Sequence, residues 1–176
     1  YKEHPYIKPP DNKNAKIWRY MSIKKFISLA ERKSLFFCRA DLLGDIYEGC
    51  LSKPTIENPI LKPEFTPQEK EICRKAIREI PERLRFATFI NCWTMDEYES
   101  NAMWRVYIEA GKGIAIQSTF DRLCKSIIDA SENVYIGTVR YIDYDKEQMP
   151  VGNTFPPFFT KRRFFESEKE LRALID

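Results

Sequence analysis

The chain has 176 residues, 43% apolar and 31% charged, with 12 Phe, 9 Tyr and 3 Trp against 6 Gly. That suits one domain with a real core and excludes a collagenous, low-complexity or disordered chain. A net charge of +3, from 29 basic and 26 acidic residues, gives no global field that would mark a polyanion or membrane partner.

Residues 1–14 carry three prolines and no hydrophobic periodicity, so they are expected to form an extended leader ahead of a single domain over 15–176. Residues 17–20 have strand character. Ser22 then caps a helix with Ile23, Phe26, Ile27 and Ala30 on one face. Residues 34–40 form a second strand candidate, and residues 41–63 a long surface loop. Thr66-Pro67-Gln68-Glu69 spells a capping box with proline in the first turn. The helix it opens has Ile72, Ala76, Ile77 and Ile80 as its expected buried stripe, with Pro81 ending or kinking it.

Residues 87–93 form a strand candidate, followed by a helix over about 96–110 with Met103, Val106, Tyr107 and Ala110 inward and Gly111 just past its end. A strand over 113–117, a helix over 120–130 and a long strand over 134–144 come next. A Pro- and Phe-rich loop, 148–159, leads into Lys161-Arg162-Arg163. The alternation predicts an α+β fold, a mixed or antiparallel sheet with flanking helices.

Composition narrows the chemistry. Cys38, Cys50, Cys73, Cys92 and Cys124 include no close pair and are odd in number, so reduced thiols are expected. His4 is the only histidine, which argues against Ser-His-Asp, Cys-His and histidine-rich metal sites; no structural metal is expected. No apolar run approaches the ~18 residues of a membrane span, and the first ten residues lack a signal sequence. A soluble, cytoplasmic protein with no membrane partner is the expectation.

The segments Trp18-Arg19-Tyr20-Met21-Ser22, 35–49, 89–119 (FINCWTMDEYESNAMWRVYIEAGKGIAIQST) and the terminal 165–172 carry a resemblance that spans about nine-tenths of the chain, in order. Together they resemble the bacterial family catalogued as domain of unknown function 2971. That resemblance implies no established activity. Family members continue with further strands, so the chain is expected to be truncated at its C-terminus.

Three short motifs bear chemistry. Glu166, Glu168, Glu170 and Arg172 would share one face if they lay on a strand, where crowded carboxylates suit acid/base work or stabilise a sugar oxocarbenium ion; on a helix they would form a solvated face. Arg19, flanked by Trp18 and Tyr20, needs an anionic partner if it points inward, either a ligand phosphate or an acid such as Glu99. Ser118 and Thr119 end a strand, where a hydroxyl either contacts a ligand or caps the next helix. The order Arg19, Ser118-Thr119, Glu168/Glu170 is similar to the Arg–Ser–Glu pattern of ADP-ribosyltransferases.

That resemblance implies NAD as cofactor: Arg19 and the Ser118-Thr119 strand would hold it, Trp93 or Tyr20 would wall the pocket, and Glu168 or Glu170 would act catalytically. The partner class is a nucleotide or NAD-like small molecule, with a protein or nucleic-acid target. Two alternatives stand beside it: a non-catalytic binding or sensor module of a larger protein, and a metal-dependent nuclease. The nuclease would use Asp41, Asp45, Glu48 and the late glutamates, with Lys161 or Arg163 on phosphate. Lys161-Arg162-Arg163 among Phe158, Phe159, Phe164 and Phe165 could also stack bases.

Overall fold

Six strands pair into one antiparallel sheet in a computed structural model that describes residues 1–107 and 112–175. The strands are β1 (Lys16–Ser22), β2 (Cys38–Arg39), β3 (Phe89–Met95), β4 (Gly113–Thr119), β5 (Tyr135–Thr138) and β8 (Glu170–Ile175). Their order is β4-β1-β3-β8-β5, and the two-residue β2 pairs with the start of β3. Two further strands, β6 (Arg140–Ile142) and β7 (Thr160–Arg162), form a separate parallel pair. The helices are α1 (Ile23–Arg32), α2 (Lys53–Glu57), α3 (Pro67–Leu84), α4 (Asn101–Tyr107) and α5 (Phe120–Ser126). The fold is α+β, as the alternation of patterns predicts.

Strand alternation divides the sheet into two chemically different faces. Ile17, Trp93, Leu171, Ala173 and Ile136 pack with Phe120 and Leu123 of α5 in one core. On the other face Ile90 and Leu174 pack with Ala40, Phe155, Phe158 and Phe159. Ile7 joins this second core, so the leader is extended but not loose. It is stitched along β5 by Lys2 N–H to the Val134 carbonyl and Thr138 N–H to the Lys8 carbonyl, both 2.8 Å.

Several expectations need correcting. The strand expected at 34–40 is reduced to Cys38–Arg39, because Ala40 turns into a short 3-10 segment, Ala40–Leu42. The loop expected at 41–63 contains that turn and α2. The long strand expected at 134–144 breaks at Val139 into β5 and β6, which belong to different sheets. Pro81 lies inside α3, which runs on to Leu84. The capping box is present, with Thr66 and Glu69 bonded reciprocally, but no residue of this helix is buried. Val106 and Tyr107 of α4 are likewise exposed, although Met103 is buried. The expected end of that helix, at Ala110 and Gly111, lies outside the described residues.

Gly49 closes the turn that aims Glu48 at the sheet. Its φ of +71° is left-handed, and a Cβ there would meet the Phe158 ring at 2.5 Å. Gly49→Ala is therefore expected to cost roughly 2–4 kcal/mol in urea unfolding, from strain and overpacking together. A loss no larger than the few tenths of a kcal/mol of an ordinary surface change would contradict this.

Candidate functional site

Among the described residues Arg172 is the largest fully buried side chain. Its position on β8 puts it on the same face as Leu174, where burial without partners would be prohibitive. The guanidinium satisfies itself with three groups. Nη1 and Nη2 donate to Glu48 at 2.5 and 2.7 Å, Nε and Nη2 donate to Glu170 at 2.7 and 3.2 Å, and Nη1 also donates to the Phe158 carbonyl at 2.5 Å. Lys161 Nζ adds a second cation, 3.0 Å from Glu170 and 2.7 Å from Glu168. Glu48 and Glu170 are 1% and 5% exposed.

The two acids respond differently: Lys161 is in ion-pair contact with Glu170, whereas Glu48 feels it only at longer range and also faces the Glu170 charge. Burial pushes the Glu48 carboxyl up, against the pull of Arg172. Burial also works against a charged Glu170, but Arg172 and then Lys161 outweigh it and hold the carboxyl down to about 2. The neighbouring Cys92 thiol is pushed well up, by burial and then by the Glu170 charge, so it is a protonated filler rather than a nucleophile.

This arrangement corrects the expected acidic face. Only Glu170 and Arg172 lie on the strand; Glu166 and Glu168 belong to a 3-10 segment, Arg163–Glu168, that ends at Lys169 with φ +43°. The basic triplet is spent in ion pairs as well. Arg162 binds Asp45 at 3.0 Å and Arg163 binds Glu147 at 2.8 Å, beside the Lys161 pairs. With Asp41 held by Arg39 at 2.6 Å and Glu48 by Arg172, Asp41, Asp45, Glu48, Glu168 and Glu170 of the nuclease reading each already face a cation. Among the described residues no group of three or more His, Cys, Asp or Glu is placed to hold a metal ion.

The expected convergence of Arg19, Ser118 and Glu170 does not occur. Ile17 opposes both Met95 and Ser118 across its two ladders, while Thr94 opposes Trp18 and Glu170. Arg19, Ser118 and Trp93 therefore share one face, and Glu170 lies on the other with Tyr20. β1 and β8 are also not neighbours, since β3 runs between them. Tyr20 leaves the Arg19 environment entirely: its hydroxyl accepts from Ser100 N–H at 2.7 Å and its ring meets Trp104 edge-on. Thr119 caps α5, its hydroxyl accepting from Arg122 N–H. Glu99, the suggested partner of Arg19, instead accepts from Trp104 Nε1 at 2.8 Å.

What remains around Arg19 is a cationic aromatic corner. Its guanidinium carbon lies 5.8 Å from the Trp93 ring centroid, and Nη2 donates to the Phe36 carbonyl at 3.1 Å. Asn91 fixes the same carbonyl through Nδ2 at 2.8 Å and accepts from Trp93 Nε1 at 2.6 Å. Burial lowers the Arg19 pKa, and among the described residues no carboxylate lies within ion-pair distance of it. Phe36 itself is 70% exposed.

The near-neutral total concealed a local imbalance. From Lys16 to Arg39 the chain carries seven basic residues and the single acid Glu31. Two are paired, Lys16 with Glu97 and Arg39 with Asp41. Arg19, Lys24, Lys25, Arg32 and Lys33 have no carboxylate partner among the described residues. A charge count taken element by element would have found this face. No helix among the described residues is long and apolar enough to cross a membrane.

No family model, curated protein or solved structure matches this chain, so the likeness to a bacterial family rests on the sequence motifs alone.

The ion cluster has a definite pH signature. Because Glu170 is held at about 2 against an ordinary 4.5, its contribution is complete above 4.5 and is lost as the pH falls through 2. The stability gap between wild type and Glu170→Gln, from urea unfolding at stepped pH, is therefore expected to be flat above about pH 5 and to close in the acid window. A gap that stays constant through that window would contradict a stabilised carboxylate.

Proposed function

We propose that this domain is a non-catalytic binding module for a phosphate-bearing ligand with a flat base, a nucleotide unit free or in a single strand. The observation that carries the reading is Arg19, a partly enclosed guanidinium against the Trp93 ring with no carboxylate partner among the described residues. Such a group is costly to hold unpaired, and an incoming phosphate supplies the missing anion. The four cations of the following helix and its C-cap, which have no carboxylate partner among the described residues, extend the attraction, and exposed Phe36, whose backbone Arg19 grips, offers a stacking surface beside it.

In this reading Glu168 and Glu170 play no part in ligand chemistry. Their cations are internal, and Glu170 lies across the sheet from Arg19. NAD belongs to the expected ligand class as a dinucleotide, without transfer of its ADP-ribose.

Titration with NAD, ATP and a single-stranded oligonucleotide, followed by calorimetry and tryptophan fluorescence, tests the reading. At least one is expected to bind, with affinity falling as salt rises. Arg19→Gln is expected to weaken it at least about tenfold, the share of one charge-assisted contact. Absence of binding by all three at millimolar concentration, or binding that Arg19→Gln leaves unchanged, would refute it. NAD consumption that Glu170→Gln abolishes would instead restore the transferase reading.

A further inference from the structure

The helix α3 spans 18 residues and buries none of them. Its sequence nevertheless carries an ordered face. At 100° per residue, Glu69, Ile72, Ala76, Ile80 and Arg83 fall within about 80° of the helix circumference. Ile72 and Ile80 are 67% and 45% exposed. The spacing along this face is 3, 4, 4, 3, so it reads the same from either end except in charge. An acid stands at the start and a base at the end.

We infer that this face binds the same face of a second copy of the chain, with the two helices antiparallel about a two-fold axis at Ala76. That axis brings Ile72 of each copy against Ile80 of the other and sets Glu69 against Arg83 at both ends. Ala76, the small residue, falls at the crossing point, where close approach of two helices is needed. A symmetric dimer requires a self-complementary patch, and opposite charges at mirrored positions supply the complementarity. Arg83 has no carboxylate partner within the described residues of its own chain, and Glu69 uses only one carboxylate oxygen in its cap. The helix as a whole mixes acids and bases nearly evenly, which gives an anionic lipid surface or nucleic acid nothing to attract.

Equilibrium sedimentation of the full chain tests this. A single helix pair is a small interface, so association is expected in the micromolar range, the mean mass rising toward two chains between about 1 and 100 μM. Arg83→Glu and Glu69→Lys each place like charges at both ends, and each is expected to raise the dissociation constant at least about tenfold. An equimolar mixture of the two variants pairs Lys with Glu at one end and Arg with Glu at the other, so it is expected to associate as wild type does. Ile80→Asp, at a solvent-facing position, is expected to abolish association, and circular-dichroism melts confirm that each variant is folded. Wild type that stays a single chain over the whole range, association indifferent to Arg83→Glu or Ile80→Asp, or a mixture no better than its components would overturn the proposal.

Discussion

A guanidinium fully enclosed in protein can persist only if every donor finds an acceptor and its charge is balanced. Arg172 meets that condition by drawing in segments distant in sequence. Glu48 comes from the turn closed by Gly49, the Phe158 carbonyl from the aromatic 3-10 segment, and Glu170 from its own strand. Lys161, from the parallel pair, closes the circuit through Glu170. Residues 40–52 and 156–168 carry only 3-10 turns and one short strand, and this cluster gives them one address on the sheet. The Ile90, Leu174 and Phe158 core packs around it and excludes the water that would otherwise weaken it.

The same constraint explains why the apparent chemistry of the C-terminal motif is structural. An acid/base catalyst needs a carboxyl whose proton can come and go near working pH. Glu170 is tuned the other way, down to about 2, by the cations that hold it in place. On the opposite face Arg19 touches an indole and a backbone carbonyl, with no carboxylate within ion-pair distance among the described residues. The buried Arg172 cluster and Arg19 thus lie on opposite faces of one sheet.

The local capping signals of the sequence are present in the structure. Thr66 and Glu69 form their capping box, and Ser22 caps α1, because these contacts lie within one turn and depend on nothing distant. Strand alternation also put Glu170 and Arg172 on a common face. What alternation could not give was the parity between Arg19 and Glu170, which is set by two registers passing through β3 and is invisible to either segment alone. Periodicity failed in a different way at Ile72 and Ile80. It correctly identified an apolar face on α3, but a repeat says nothing about which surface covers that face. Pro81 does not end the helix either: α3 runs on to Leu84 although Pro81 has no N–H to give the Ile77 carbonyl, so one lost hydrogen bond does not by itself set a helix boundary.

The role of Arg172 is tested most directly by Arg172→Lys, measured by urea unfolding against wild type. Lysine keeps the positive charge but cannot present the planar fork that spans Glu48, Glu170 and the Phe158 carbonyl together. If the fork organises this face, the substitution costs about 2–4 kcal/mol despite the conserved charge, since a buried acceptor goes unmet. A loss below about 1 kcal/mol, the scale of an exposed ion pair, would mean that charge alone suffices and that the fold does not depend on this interaction.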